Sequence, residues 1–201
     1  MTKRFRIICL SILLSPLFVQ AQDALNYLEI GITQNKTGNY ADALRNFSLE
    51  IEKNIANPNP VAFYNRGFAK YNLKDFRGAI LDFDKAIELK PTYFEAFIAR
   101  GQSYSMQDNH KVAMNDYNEA IRLNPLEGTA YYSRGVSKMR LQNFRGGLSD
   151  FNKSLELNPD YAPGLAARGE SKVKLTDYKG SIEDFDKAIE ISPKRAGYYS
   201  Y

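Results

Sequence analysis

Cysteine is almost missing from this chain of 201 residues, because Cys9 is the only one. Cys9 lies in an apolar stretch near the N-terminus, so the sequence beyond it offers neither a disulfide nor a thiol nucleophile. Tryptophan is absent, and His110 is the single histidine. Sites that need paired cysteines or clustered histidines, such as structural zinc sites, are therefore excluded.

The sequence patterns of common active sites are also missing. The chain contains no HExxH pair and no glycine-rich loop of the kind that holds phosphate groups. His110 stands at the start of a predicted helix, without the nucleophile and the orienting group that a catalytic base requires. We therefore predict a non-catalytic protein that needs no cofactor and no metal.

Carboxylates are numerous, and they offer the one route to an enzymatic alternative. They recur on predicted helices as Asp82, Asp84, Glu88, Glu156, Asp184, Asp186 and Glu190. Two such groups could serve as the acid and the base of a glycoside hydrolase. Periodic charge on a helix is more often a solvated face, and the repeat of the sequence already accounts for these positions.

Positive charge is concentrated at the N-terminus. Three basic residues precede the apolar run IICLSILLSPLFV: Lys3, Arg4 and Arg6. The run leads to Val19-Gln20-Ala21, a small-x-small cleavage pattern, which predicts a signal peptide over residues 1–21 and a periplasmic or secreted protein. The run contains Pro16 and is shorter than the roughly 20 residues of a membrane span. No membrane span is expected once the signal is removed.

Removal of residues 1–21 would change the charge balance. The whole chain carries 27 basic and 23 acidic residues, and three of the basic ones lie in the predicted signal. The remaining 24 basic and 23 acidic residues give a net charge of +1. Nucleic-acid-binding proteins need clustered positive charge, so we predict no nucleic-acid partner.

Residues of four kinds return at a spacing of 34. The glycines are Gly67, Gly101, Gly135 and Gly169, the aspartates Asp82, Asp116, Asp150 and Asp184, the aromatic residues Phe83, Tyr117, Phe151 and Phe185, and the prolines Pro91, Pro125, Pro159 and Pro193. A looser copy with Gly31 and Phe47 precedes them at a step of 36. We assign residues 22–193 to one repeat domain and 196–201 to a short tail or the start of a further helix. The five copies are 24–59, 60–93, 94–127, 128–161 and 162–195.

Each copy of the repeat is predicted to form a pair of helices. In the second copy, apolar residues follow an i, i+3, i+4, i+7 stripe from Phe76 to Ile87. An Asn or Asp precedes every second helix and is expected to cap its free N–H groups: Asn39, Asp75, Asn109, Asn143 and Asp177. A glycine inside each first helix is unfavourable, so its repetition indicates a close contact between the two helices. A single hairpin cannot bury its apolar face, so the copies should stack into a solenoid.

With these residues the repeat resembles the tetratricopeptide repeat (TPR), a 34-residue pair of helices. In the second copy the matching positions are Phe63, Gly67, Ala79, Phe83, Ala86 and Pro91. Three positions depart from the family pattern. Lys70 replaces a tyrosine in the second copy, Glu50 replaces an alanine in the first copy, and the closing proline of the first copy is displaced to Pro58. The resemblance covers about residues 24–193. It implies an all-α fold, a right-handed α-α superhelix or solenoid of about five helical hairpins with a concave groove.

The resemblance also implies a function, because grooves of this type hold peptides or partner proteins and are lined by the first helices. The predicted groove residues lie at fixed offsets from each glycine: Tyr64, Phe68, Tyr71, Ile98, Gln102, Tyr132, Val136 and Arg140. For each aromatic residue the alternative is packing against a neighbouring hairpin. We expect a scaffold or adaptor of the cell envelope that binds a protein or peptide partner. The alternative is an accessory or regulatory subunit of an envelope enzyme or assembly complex.

An arginine directly precedes four of the glycines, within a stripe of core residues. Each arginine has an aspartate sixteen residues later, which gives the predicted structural ion pairs Arg66–Asp82, Arg100–Asp116, Arg134–Asp150 and Arg168–Asp184. These positions face each other in an antiparallel hairpin, so we expect partly buried pairs. In the first copy these two positions hold Ile30 and Asn46, so both charges are lost together. This joint loss favours pairing within a copy over pairing with the preceding copy.

The last predicted helix, near residues 178–191, is followed by only eight residues after Pro193. Solenoids usually end in a polar capping helix, and eight residues give barely two helical turns. We therefore expect one face of this helix to be partly exposed. Either Tyr198, Tyr199 and Tyr201 cover it, or a second chain covers it by self-association, or the sequence is a fragment.

Overall fold

The computed structural model describes residues 27–193, and in this range it shows ten helices and no strand. After α1, at residues 27–36, the helices are α2 (Tyr40–Lys53), α3 (Pro60–Asn72), α4 (Phe76–Leu89), α5 (Phe94–Ser105), α6 (His110–Leu123), α7 (Gly128–Arg140), α8 (Phe144–Leu157), α9 (Ala162–Lys174) and α10 (Tyr178–Ile191). Consecutive helices pair into five hairpins, which confirms the predicted all-α solenoid. The predicted signal peptide and the predicted tail, at residues 196–201, lie outside the described residues.

Every hairpin turns at a residue with a left-handed backbone. In the first copy this residue is Gly38, with φ of 80°. In the other copies it is not glycine, and φ lies between 60° and 66°: Lys74, Asp108, Gln142 and Thr176. In the second copy the N–H of Asp75 donates to the carbonyl oxygen of Lys70 at 2.9 Å across the turn. The turn thereby satisfies a free carbonyl group at the end of α3.

The predicted capping bonds form at three of the five second helices. The side chains of Asp75, Asn143 and Asp177 each accept a hydrogen bond from the backbone N–H three residues later. Asn39 and Asn109 stand at the same position but make no side-chain capping bond. The amide of Asn39 donates instead to a carboxylate of its own helix. The capping prediction is therefore wrong for these two asparagines.

The glycine of each first helix lies against an aromatic ring of the second helix. A Cβ atom on Gly67 would be only 2.8 Å from Cε1 of Phe83, a separation that real Cβ atoms do not show. The same approach recurs in the other copies: Gly31 with Phe47, Gly101 with Tyr117, Gly135 with Phe151 and Gly169 with Phe185. This close contact explains why a residue that is unfavourable in helices recurs at this position.

The hairpins stack in a constant order that separates an inner wall from an outer wall. Each second helix packs against the first helix of the next copy, as α4 does against α5. Successive first helices also contact each other, whereas no contact joins two second helices within residues 40–193. The first helices therefore form the inner wall of the solenoid, and the second helices form the outer wall.

The core lies between consecutive hairpins. Between the second and third copies its buried residues are Phe63, Ala86, Tyr93 and Ala96. The alanines let helices approach closely, and the aromatic rings fill the remaining space. Apolar surface that one hairpin would leave in water is thus buried by its neighbour, which stabilises the stack.

Glu50 occupies a buried position that the other copies fill with small residues. Its counterparts are Ala86, Ala120, Ser154 and Ala188. Glu50 is only 5% exposed, and its Oε2 atom has no hydrogen-bond partner among the described residues. Burial raises the pKa of its carboxyl group, and the nearby charge of Lys53 only partly offsets this effect.

The outer end of the last hairpin is more exposed than its counterparts. Tyr178 and Ile182 are 61% and 59% exposed. Phe144 and Leu148, at the same positions one copy earlier, are only partly exposed. Within the described range no hairpin follows α10, so the partial exposure expected for its outer face is present at these two residues. Self-association through this face stays a prediction, since residues 194–201 lie outside the described part of the chain.

We expect Glu50→Ala to raise the free energy of unfolding by about 1–3 kcal/mol at neutral pH, because it removes a buried polar atom that lacks a partner. Since burial raises the pKa of Glu50, the folded chain binds the proton more tightly than the unfolded chain does. The penalty of the ionised carboxylate therefore appears as the pH rises through the raised pKa. The gain should be smaller at mildly acidic pH than at neutral pH. Urea unfolding at both pH values measures it, and a loss of stability at neutral pH would refute this explanation.

Candidate functional site

Arg66 meets Asp82 across its hairpin through two parallel hydrogen bonds. Its Nε donates to Oδ2 at 2.9 Å, and its Nη2 donates to Oδ1 at 2.6 Å. The same forked geometry recurs in the other three predicted pairs: Arg100–Asp116, Arg134–Asp150 and Arg168–Asp184. Each pair fixes the register between the first and second helices of its copy.

The remaining terminal nitrogen of each arginine reaches the second helix of the preceding copy. The acceptors of the Nη1 hydrogen bonds are Ser48 for Arg66 (3.4 Å), Asp84 for Arg100 (2.6 Å), Asn118 for Arg134 (2.7 Å) and Asn152 for Arg168 (3.2 Å). The sequence favoured pairing within a copy, and it missed this second contact between copies. A guanidinium group can make both contacts, because the forked pair uses Nε and Nη2 and leaves the N–H groups of Nη1 free to donate.

The third copy balances its charges differently from its neighbours. In the other three, a lysine four residues after the arginine also contacts the aspartate at 2.8 Å: Lys70, Lys138 and Lys172. Tyr104 stands there in the third copy, and Arg100 contacts both Asp84 and Asp116. Burial alone would lower the pKa of Arg100, but these two carboxylates raise it above its ordinary value. Burial raises the pKa of Asp116, against the opposing effect of Arg100.

The four arginines are therefore positioning residues rather than groove contacts. Their side chains are between 19% and 23% exposed, and their donors are directed at acceptors within the chain. By joining their own hairpin to the preceding one, they set the spacing of the first helices. The inner wall of the solenoid depends on that spacing.

One row of predicted groove residues lies on the inner wall. Phe68, Gln102 and Val136 each follow the glycine of their first helix, and all three are at least partly exposed. Phe68 is 37% exposed, and its ring meets the ring of Tyr40 edge to face, with centroids 6.2 Å apart. Arg140 is exposed at the end of α7. These four residues are available to a partner.

Tyr64 and Tyr132 are shared between the groove and the core. The ring of Tyr64 lies 5.0 Å from the ring of Tyr93 and 5.9 Å from that of Phe83, measured between centroids. The corresponding neighbours of Tyr132 are Tyr161, at 5.1 Å, and Phe151, at 5.8 Å. Burial raises the pKa of the Tyr64 hydroxyl group. Both tyrosines are partly exposed, so their rings form a packed floor for the groove.

Ile98 is a core residue, which corrects its predicted place in the groove. It is only 8% exposed and belongs to the same buried cluster as Phe97, Ala120 and Ala130. The repeat gives it the same position as Tyr64, which is partly exposed. The shorter aliphatic side chain of Ile98 is buried with its apolar neighbours, and this burial is favourable.

Tyr71, Met106 and Asn35 complete the inner wall. Tyr71 is half-buried, with its ring 5.4 Å from that of Phe76. Met106, at the end of α5, is 56% exposed. Asn35 is buried and joins α1 to α3, because its Nδ2 donates to the carbonyl oxygen of Asn65 at 2.9 Å. These residues stand at similar offsets from their glycines, but their exposure differs and could not be read from the sequence.

His110 is the first residue of α6 and lies next to the turn of its hairpin. Nε2 of His110 lies 3.6 Å from Oδ1 of Asp108, an exposed residue of the turn. Among residues 27–193, no cluster of three or more His, Cys, Asp or Glu side chains could hold a metal ion. Over the same residues, no helix combines the length and apolar character that crossing a bilayer requires.

Comparison with known proteins places the repeat in a family. Family models of the tetratricopeptide repeat match residues 60–93, 94–125 and 162–195. No curated protein matches the sequence significantly. Among solved structures, MamA 41-end from Desulfovibrio magneticus RS-1 is similar, at 24% identity and a TM-score of 0.73. The match covers 86% of this chain and 97% of that one.

Two further solved structures share the architecture. TTC0263, a thermophilic TPR protein in Thermus thermophilus, is 19% identical with a TM-score of 0.71, over 85% of this chain and 92% of its own. YrrB, described as a TPR protein with an unusual peptide-binding site, is 20% identical with a TM-score of 0.66, over 88% and 91%. At these identities the likeness shows the fold.

We expect Asp150→Ala to lower the free energy of unfolding by about 3 kcal/mol, because it leaves the arginine and the lysine of its copy without a carboxylate. Asp116→Ala should cost less, since Arg100 keeps its bond to Asp84. Urea unfolding followed by circular dichroism compares the two variants. If both variants lose the same free energy of unfolding, the bond from Arg100 to Asp84 does not compensate for the lost aspartate.

Proposed function

We propose that this chain, which is a tetratricopeptide-repeat protein, is a non-catalytic scaffold or adaptor of the cell envelope that holds a peptide or helix of another protein in its concave groove. Proteins of this repeat type are generally scaffolds for protein–protein interaction. The observation that carries the proposal is the set of exposed apolar side chains on the inner wall.

Phe68 and Met106 expose apolar groups on the inner wall, where they are 37% and 56% exposed. An apolar side chain in water does not stabilise a folded monomer, and neighbouring exposed apolar groups are typical of protein-binding surfaces. The position directly after the glycine is apolar in the second copy, polar in the third and apolar in the fourth: Phe68, Gln102 and Val136. An amphipathic helix or an extended peptide offers a matching sequence of side chains.

The charge of the groove changes along the chain. The position five residues after the glycine is basic in the first copy, where it is Lys36. It is neutral in the second and third copies and basic in the fourth and fifth: Asn72, Met106, Arg140 and Lys174. Arg140 and Lys174 are exposed. A partner that follows the groove should therefore place apolar residues against the second and third copies and acidic residues against the last two.

The packed floor favours binding without large rearrangement. Tyr64 and Tyr132 are already fixed by their aromatic neighbours, so a partner that contacts their exposed edges need not order them. A preorganised surface loses less conformational entropy on binding. YrrB, which shares the fold, is described as having a peptide-binding site, and this supports a peptide as the class of ligand.

The groove can be tested with a photo-cross-linking amino acid placed at position 68 in living cells. We expect an adduct with a partner protein at this position, and none when the amino acid replaces Leu81, an exposed apolar residue of the outer wall. The partner is identified from the adduct by mass spectrometry. Phe68→Ala together with Met106→Ala should then weaken binding of the purified partner at least about tenfold.

The matched control is Leu81→Ala with Val112→Ala, which removes two exposed apolar side chains from second helices. The control should keep the partner's affinity, because the outer wall lies away from the groove. Equal weakening by both pairs of substitutions, or adducts only at position 81, would exclude the groove as the binding site. Circular dichroism establishes that each variant is folded.

The envelope location rests on the basic and apolar residues of the N-terminus, which predict export. We expect the protein recovered from the periplasmic or secreted fraction to begin at Gln22, as read by N-terminal sequencing. Ala21→Lys should block cleavage, because signal peptidase requires a small residue there. A chain that keeps residues 1–21 and stays in the cytoplasm would be incompatible with this location.

A further inference from the structure

A row of four cations runs along the turns of the hairpins at the same spacing as the glycines. Its members are Arg77, Lys111, Arg145 and Lys179, each the second residue of a second helix. All four are exposed. The row lies outside the groove, since second helices form the outer wall, and the groove proposal does not involve it.

Folding does not explain these cations. The first turn of a helix carries a partial positive charge, so a basic residue there is unfavourable and an acidic one is favourable. The helices α4, α6, α8 and α10 have no acidic residue in their first turns. Within residues 27–193 the structure gives none of the four cations an ion pair. Their repetition at an unfavourable position therefore indicates a role outside the folded monomer.

The same helices pair their other basic residues. Near the opposite ends of these helices, the ion pairs are Lys85–Glu88 (2.6 Å), Arg122–Glu119 (2.6 Å), Lys153–Glu156 (2.8 Å) and Lys187–Asp160 (3.2 Å). These four basic residues are thus neutralised locally, whereas the four cations of the row at the turns are not.

We name this edge the turn edge and define it as residues 72–77, 106–111, 140–145 and 174–179. It contains seven basic and three acidic residues. Two of the acidic residues, Asp75 and Asp177, accept hydrogen bonds from backbone N–H groups as helix caps. The turn edge also exposes apolar side chains: Leu73, Leu141, Tyr178 and Met106, the last of which it shares with the groove.

The turns lie side by side, because successive first helices are joined close to their ends. Oγ of Ser105 lies 3.2 Å from Oγ of Ser137, which joins α5 to α7. Oγ of Ser171 donates to Sδ of Met139 at 3.1 Å, which joins α7 to α9. The turn edge is therefore one continuous surface along the stack.

We propose that the turn edge is a docking surface for a membrane that contains anionic lipids. Two of the four row positions are Arg and two are Lys. Arg and Lys do not replace each other where a carboxylate must be bound in forked geometry, but they are equivalent toward a diffuse layer of negative charge. Exposed Leu73, Leu141 and Tyr178 add apolar contacts of the kind that enter the headgroup region.

The test compares three forms of the full chain, each with its N-terminus read by mass spectrometry. They are the wild type, a turn-edge variant and a control variant. The turn-edge variant carries Arg77→Gln, Lys111→Gln, Arg145→Gln and Lys179→Gln. The control carries Lys85→Gln, Arg122→Gln, Lys153→Gln and Lys187→Gln. Both variants lose four positive charges, but only the first loses them from the turn edge.

Binding is measured by flotation with vesicles of phosphatidylcholine alone and of phosphatidylcholine with phosphatidylglycerol. The wild type and the control should bind the anionic vesicles in preference to the neutral ones. The turn-edge variant should bind the anionic vesicles at least about tenfold more weakly. Added salt should weaken the binding of the wild type, because it screens exposed charge.

Three results would overturn the proposal. The first is a wild type that binds both kinds of vesicle equally or binds neither. The second is an equal loss in the two variants, which would reflect net charge alone. The third is soluble poly-glutamate bound as tightly as the anionic vesicles and lost in the same variant, since that would assign the turn edge to an acidic protein.

Discussion

In each copy of the solenoid after the first, a single guanidinium group joins three helices. The arginine belongs to a first helix, its fork holds the aspartate of its own second helix, and its last nitrogen reaches the preceding copy. One hairpin cannot bury its apolar face alone, so the fold exists only as a stack. The arginine bonds both the parts of a hairpin and the hairpins to one another, and the inner wall follows from that spacing.

Two departures from the repeat illustrate this constraint. The third copy lacks the lysine that assists the other aspartates, and a carboxylate of the preceding copy, Asp84, contacts Arg100 instead. Glu50 lies in the first copy, which has no arginine clamp, and its buried carboxylate keeps one oxygen without a partner among the described residues. In the third copy the charge of Arg100 is still balanced, because Asp84 takes the place of the missing contact. In the first copy the charge of Lys53 only partly offsets the effect of burial on Glu50, whose Oε2 atom stays without a partner among the described residues.

The positions left free by packing form two surfaces of different chemistry. The inner wall presents exposed apolar and polar side chains in a row, which suits the shape of a peptide or helix. The turn edge presents unpaired cations with scattered apolar groups, which suits a diffuse layer of anions. The two surfaces meet at Arg140 and Lys174, at the ends of α7 and α9. A scaffold with this arrangement could present a bound partner close to a membrane.

The sequence by itself determined the elements and their pairing, because both depend on local spacing. The period of 34, the glycine opposite an aromatic ring and the offset of sixteen from Arg66 to Asp82 all lie within one hairpin. Tertiary structure decided what depends on contacts between copies. It placed Nη1 of each arginine on the preceding hairpin and Ile98 in the core. A repeat gives equivalent residues equivalent positions, but exposure depends on side-chain length and on the neighbouring copy, which the spacing does not encode.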